Sequence, residues 1–444
     1  MIEIPQQKRV YWDKKLISIL ELIRKDDCES TKITSEQTEP DVIVLDSAKI
    51  ISEDSLEYDI EENIISVTHE KAGVKYIIEK EAWKSVEECI NDFYKLQSIK
   101  NKISKDSLRI LILSWLFDVR EKEQITVDFS RHIEEGLEKL VKEYVVYFPI
   151  PYLSSINTYK FSNDISLGRL SNKQLENSPV SIRGEYTENT TFIYTNLSGE
   201  KELVAERAYE RCSLAIDIIK ICYLTFYFDQ PKVCLDIADN IPYSPIYRCF
   251  IQETSSDTLH INIGVNAHLL KLDNVIRNIE EHCINDYKIF IDRIFNQTKT
   301  ELEEILIAAI KAFSNALSHT NDYDRVVDLC SILDSLILVD ENIGIKQSLK
   351  RYVPLIISDI PDIRKIIRNN IEKMYEIRSQ YIHHRKTEIK ISKRKKHEYN
   401  NIVFNLLTEF VIMANSEKYK TARDVIKKID VKLNENMDTI IIDL

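Results

Sequence analysis

From residue 273 to residue 415 the chain repeats one pattern six times. Apolar residues recur every three or four positions across 273–295, 299–318, 323–339, 345–357, 361–383 and 393–415, with short polar connections between them. That spacing gathers the apolar side chains of each segment on one stripe of an α-helix. Six such stripes joined by short links can bury themselves only against one another, which predicts an antiparallel helical bundle. Two of the starts are marked: Thr300-Glu301 opens an acidic first turn, and Asp359 stands just before Pro361. A further helix is expected over 421–433 and an edge strand over 439–442.

The preceding residues follow another pattern. A helix over 9–25 leads into alternating stretches at 42–45, 64–68 and 74–78, the last two joined as a hairpin across 69–73. Helices are expected over 81–98, 107–120 and 133–143. A strand is expected at 125–129 (ITVDF) and another at 144–148, closed by Pro149 and Pro151. Strands at 165–170 and 191–195 precede a long helix over 202–228, with Ala205, Ala208, Cys212, Ala215, Ile219 and Cys222 on one stripe. A last β-like piece lies at 260–265. The fold class expected is therefore α+β and mostly α. A mixed α/β N-terminal domain over 1–270, which two subdomains could share, is followed by an all-α antiparallel bundle over 271–444.

Composition removes several function classes. Seven glycines in 444 residues leave little for phosphate cradles, and neither GxGxxG nor GxxxxGK[ST] occurs. Eight scattered cysteines form no C-x-x-C pair, which fits reduced thiols in a cytoplasmic protein better than a zinc ribbon or a disulfide scaffold. His282-Cys283 lacks a second ligand pair, and Asp322, Asp324 and Asp328 lack a calcium-loop pattern, so they are expected to cap and solvate a helix start. No metal or other cofactor is expected. The first residues, MIEIPQQKRV, carry no apolar core of a leader, and the apolar runs near 108–117 and 214–228 are interrupted by charge, so no membrane association is expected.

Charge points to one place. From Arg378 to His397 the chain carries Arg378, Arg385, Lys386, Lys390, Lys393, Arg394, Lys395 and Lys396 against the single acid Glu388, a net +7 in a chain of net −12. An acidic protein that gathers its positive charge around two adjacent histidines, His383 and His384, invites a polyanion there and supplies a group that titrates near neutrality. Arg378 falls inside the apolar arc formed by Ile363, Ile367, Ile371, Met374 and Ile377. A guanidinium on such a face needs a carboxylate or an anion beside it, or else snorkels at a helix end. His383 lies five residues on, about 140° round an ideal helix, so within one straight helix the two do not converge. Either the helix loosens near His383 or a second copy of the chain completes a site.

Arg378-Ser379-Gln380-Tyr381-Ile382-His383 has the R-x4-H form of HEPN domains, and YEIRSQYIH at 375–383 resembles the ApeA-like HEPN group. SILDSLI at 331–337 and SLKRYVPLI at 348–356 are similar to the two preceding helices of that group. One departure is that His384-Arg385 follow His383 where the group often has Gly. The resemblance implies a metal-independent endoribonuclease, active as a homodimer with two R-x4-H motifs facing each other. It also implies a toxin or anti-phage defence setting, in which the N-terminal domain senses or recruits a trigger, whether a protein or phage-derived. In that scheme His383 is acid or base, Arg378 stabilises charge, and Ser379 orients the imidazole or contacts phosphate. His384 competes with His383, and Tyr375 belongs to the motif. Asp334 stands where the family carries an acid and would pair with Arg378 or Arg351, or else lies on a plain helix surface. The basic residues Arg385, Lys386, Lys390 and Lys393–Lys396 would contact RNA, with Tyr381 and Tyr399 available for stacking or for the core. The competing expectation is a non-catalytic HEPN-like module that dimerises and binds RNA or protein.

Overall fold

The computed structural model describes residues 6–27, 54–58, 64–71, 74–125, 127–155, 157–171, 190–226, 235–237, 247–252, 259–263, 270–280, 284–295, 298–319, 321–337, 344–384 and 390–431. The fold is α+β and mostly α. Compactness divides it into two units, one of residues 1–144 with 197–207 and the other of residues 145–196 with 208–444. The expected strands at 42–45 and 439–442 lie outside the described residues.

The first unit opens with α1 (Gln6–Leu20), which stops short of the expected residue 25 because β1 (Ile23–Asp27) follows. β2 (Asp54–Tyr58), β3 (Ile64–Lys71) and β4 (Val74–Glu79) complete an antiparallel sheet in the order β1-β4-β3-β2. The expected hairpin is present, with Lys71 opposite Val74 and Val67 opposite Ile78. Buried Val67, Tyr76 and Ile78 give that sheet its apolar face. α2 (Lys80–Tyr94) follows at once and buries Trp83, Val86, Ile90 and Phe93 on one stripe, with Trp12 of α1 stacked on Phe93. The helix expected to reach 98 breaks at Lys95, and α3 (Gln97–Lys100) restarts it. α4 (Lys105–Lys122) is capped by Ser104, whose side chain accepts from the Ser107 N–H at 3.1 Å.

The expected strand at 125–129 is not formed among its described residues. Phe129 is the first residue of α5 (Phe129–Leu140), and the Val127 carbonyl accepts from the Trp115 indole N–H at 2.9 Å instead of from a neighbouring strand. The alternation of Ile125, Val127 and Phe129 imitates a strand. Phe129 is buried for another reason, because its ring packs edge-on against Phe93 and Trp115.

β5 (Lys142–Ser154) starts in the last residues of the first unit's main segment and continues in the second, and it runs through Pro149 and Pro151 rather than ending at them. Residues two apart share one edge of a strand, so these prolines remove donors from that edge alone and leave the other to pair. With β6 (Tyr159–Lys160), β7 (Ile165–Gly168), β8 (Thr190–Gly199) and a later two-residue strand it builds a five-stranded sheet. α6 (Lys201–Phe226) is next. It buries Leu214 to Ile216 and Ile218 to Ile219 without a break, so all its sides are covered. A hairpin of β9 (Tyr247–Gln252) and β10 (Leu259–Ile263) and the short β11 (Leu270–Lys271), which pairs parallel to β5, lead to the bundle.

The bundle consists of α7 (Leu272–Glu280), α8 (Ile284–Ile294), α9 (Glu301–Ser318), α10 (Asp322–Ile337), α11 (Ile345–Ile357), α12 (Pro361–His384), α13 (Lys393–Asn415) and α14 (422–431). The single helix expected over 273–295 is thus two helices. α9 starts with a reciprocal capping box, Thr300 accepting from the Glu303 N–H and Glu303 from the Thr300 N–H. Ile150, Ile165, Ile219, Phe313, Phe404 and Phe410 belong to one continuous core. This is why no division occurs at the expected residue 270, since the sheet and α6 share their apolar interior with the bundle. Truncating fully buried Phe410 to Ala would cost about 3–5 kcal/mol.

Candidate functional site

α12 is one unbroken helix through both Arg378 and His383. The loosening considered above therefore does not occur, and within one chain the two side chains leave the axis about 140° and ~7.5 Å apart. Ile367, Ile371, Met374 and Ile377 face the core, and Arg378 follows on the same arc. Its side chain is 30% exposed, and its Nη1 lies 3.5 Å from Oδ2 of Asp334 on α10, itself 14% exposed. Tyr375, one turn before, donates its hydroxyl to the other Asp334 oxygen, and the guanidinium carbon lies 5.5 Å from the Tyr375 ring centre. Asp334 thus pairs with Arg378. The alternative partner, Arg351, pairs with Asp430 at 3.2 Å.

Electrostatics follow from this half-burial. Burial raises the Asp334 carboxyl, opposed by the Tyr375 hydrogen bond and by the Arg378 charge. Burial, then the bond to Asp334, pushes the Tyr375 phenol above its ordinary range, so it stays a donor. Burial also raises the Cys330 thiol, one turn back on α10, which remains protonated near Arg378. The Arg378 Nε is buried and has no hydrogen-bond partner. Asp334 and Tyr375 thus flank this guanidinium from two helices, and its Nε is enclosed among them.

Ser379, His383 and His384 are exposed. The histidines occupy the last turn of α12. Much of the basic run is engaged within the chain. At the start of α13, Arg394 pairs with Glu398 at 2.8 Å, Lys395 reaches Glu398 at 2.7 Å and Asn370 at 2.8 Å, and Lys396 pairs with Asp322 at 2.6 Å. Lys393 is exposed at the first helical position and Lys390 is exposed just before it, while Arg385 and Lys386 lie outside the described residues. A cavity of about 840 Å³ beside this run is lined by Lys346, Lys373, Lys390 and Lys395, with Glu372 and Glu376 among them. Tyr399 is a buried core residue whose side chain also borders this cavity.

Sequence reasoning passed over a second cavity, of about 420 Å³, lined by His319, Asp324, Val327, Asp328, Tyr381 and Ile382. Asp324 and Asp328 were expected only to cap and solvate a helix start. A spacing of four on α10 does place them on one face, but nothing in the sequence brings His319 and Tyr381 to the same place. Among the described residues no three His, Cys, Asp or Glu are grouped to hold a metal ion, and no helix is long and apolar enough to cross a membrane.

No family model matches the chain, and no solved structure matches it. It is similar, at 22% identity over 221 residues, to one of the subunits of the aspartyl/glutamyl-tRNA(Asn/Gln) amidotransferase of Mycoplasmopsis synoviae (strain 53). The matched segment is 48% of this chain and 43% of that protein, so the chain spans less than half the length of the relative it matches.

Proposed function

We propose that the chain is a HEPN-type endoribonuclease that cuts RNA without a metal, as a homodimer in which two R-x4-H motifs meet. The observation that carries this reading is the Arg378 guanidinium, held beside Asp334 and Tyr375 yet 30% exposed, five residues before exposed His383. Cleavage by the substrate's own 2′-OH needs a base at that hydroxyl, an acid at the leaving 5′-oxygen, and positive charge on the phosphorane. In a two-fold arrangement the two copies of His383 serve as base and acid, His384 standing beside each as the alternative, and both Arg378 side chains face the phosphoryl oxygens. Ser379 holds the imidazole or a phosphate oxygen. The α13 start adds support. Four cations and no acid in that first turn oppose the helix dipole, and although Arg394, Lys395 and Lys396 are engaged within the chain, the concentration of positive charge suits an RNA backbone. The first unit would sense or recruit a trigger, as in a toxin or anti-phage defence effector of the cytoplasm.

The test is an RNA-cleavage assay of the full chain beside Arg378→Ala and His383→Ala, with sedimentation of all three. The M. synoviae protein belongs to a tRNA amidotransferase, so tRNA is the first RNA to offer. Cleavage by the wild type alone, with all three dimeric, is the expected result. A strictly monomeric yet active chain overturns the dimeric site. A second reading, a non-catalytic RNA- or protein-binding module, is favoured by the unbroken α12 that separates Arg378 from His383. RNA binding without cleavage by any of the three proteins would establish it.

A further inference from the structure

The 420 Å³ cavity is lined by residues of α10 and α12, the two helices that the Arg378–Asp334 pair joins. Along α10 Val327 lies on the face of Asp334, while Asp324 and Asp328 stand about 80° and 120° round from it. Along α12 Tyr381 and Ile382 stand three and four residues beyond Arg378, a step of about 5–6 Å. We propose that this cavity holds the base of a nucleotide next to the cleaved phosphate and selects guanine. The inference rests on the ribonuclease reading for its substrate class.

The lining carries the argument. Two carboxylates repel a phosphate, so a nucleotide bound here would present its base. Tyr381 is stacked on Tyr323, with ring centres 5.2 Å apart and planes 20° apart, and Val327 and Ile382 supply apolar walls. Rings and apolar walls take the π-face of any base; the carboxylates choose among bases. Asp324 accepts from the Tyr381 hydroxyl at 2.8 Å, and Asp328 meets His319 Nε2 at 2.7 Å. A carboxylate offers about four acceptor sites, so each bond fixes an orientation and leaves capacity. Guanine alone presents two adjacent donors, N1–H and N2–H, which a carboxylate takes side by side. Uracil sets a carbonyl on each side of its one imino donor, and both face repulsion.

The walls are held in advance. Arg325 donates to the carbonyls of Ala316, Leu317 and His319, which ties down the end of α9, and Asn321 donates to the Tyr381 hydroxyl at 3.2 Å. Such fixing lowers the ordering cost of binding.

The test is calorimetric titration of the full-length chain with GMP, AMP, CMP, UMP and spermidine, joined to cleavage of uridine oligonucleotides carrying a single G, A or C. GMP should bind at least tenfold tighter than UMP, and Asp324→Asn, which keeps an acceptor for Tyr381, should shrink that ratio about tenfold. Asp328→Asn repeats the test should the first variant fail to fold. Equal binding of all four nucleotides, or spermidine binding tighter than GMP, overturns the proposal. Cleavage without base preference overturns it and leaves the ribonuclease reading standing. Selective GMP binding with no cleavage of any RNA supports the pocket and removes the ribonuclease reading.

Discussion

Arg378 and Asp334 face each other across α12 and α10 with 3.5 Å between Nη1 and Oδ2, and Tyr375 holds the far side of the same carboxylate. The carboxylate therefore sets where the guanidinium points. In Asp334→Asn the charge partner is gone while the shape remains. We expect single-turnover RNA cleavage to fall about 100-fold, the scale of a misplacement near 1 Å, and stability to fall by ~1–2 kcal/mol. Arg378→Lys should lose as much activity, because a point charge cannot reproduce the planar fork. Undiminished cleavage by either variant would separate the pair from catalysis.

Attack by the 2′-OH has a chemical signature. Cleavage should persist in EDTA and leave a 2′,3′-cyclic phosphate or the 3′-phosphate formed from it, while DNA should survive. Mass spectrometry of the fragments decides the matter, and a strict need for Mg²⁺ or Mn²⁺ would count against the His–Arg scheme.

The basic run holds cations of differing exposure. Lys396 is engaged by Asp322 and Lys395 by Glu398 and Asn370, and Lys390 and Lys393 lie exposed beside them. Neutralising Lys390 and Lys393 should flatten the salt dependence of RNA binding by up to about 0.7 per lost contact for single-stranded RNA. An unchanged slope, measured by fluorescence anisotropy between low and physiological salt, would mark them as solvated surface.

How much of this was legible beforehand depended on the kind of signal. The bundle helices were readable because Ile367, Ile371, Met374 and Ile377 fall at helical spacing, and the pattern survives any tertiary arrangement. The need for an anion beside Arg378 was readable for the same reason, although Arg378 and Arg351 competed for Asp334 until the fold placed Asp430 on Arg351. The strand misread at 125–129 shows the opposite case. Phe129 is buried by rings of α2 and α4, a long-range fact that imitates local alternation. Division at residue 270 failed likewise, because a shift from strands to helices does not reveal that Ile150 and Phe410 share one core. The His319–Tyr381 cavity joins positions about sixty residues apart, and hydropathy is silent on such a meeting.

A last expectation concerns Asp217, buried on α6 near Ser314 and Lys220, the latter 3.5 Å from Asp236. Burial pushes its carboxyl from an ordinary 3.8 up to about 6, with Asp236 adding to the rise and Ser314, Lys220 and Lys311 opposing it. A raised value means that the folded chain holds this proton more tightly than the unfolded one. Its stabilising contribution is therefore complete below pH 3.8 and is lost as pH rises through about 6. By pH 7 the ionised group costs up to ~3 kcal/mol. Asp217→Asn removes that titration and keeps the shape of the side chain. The variant should match the wild type near pH 4 and exceed it by ~1–3 kcal/mol at pH 7, checked by urea unfolding at both values. A difference that does not change with pH would mean that Asp217 does not titrate in this window, and that Lys220 and Lys311 compensate its charge fully.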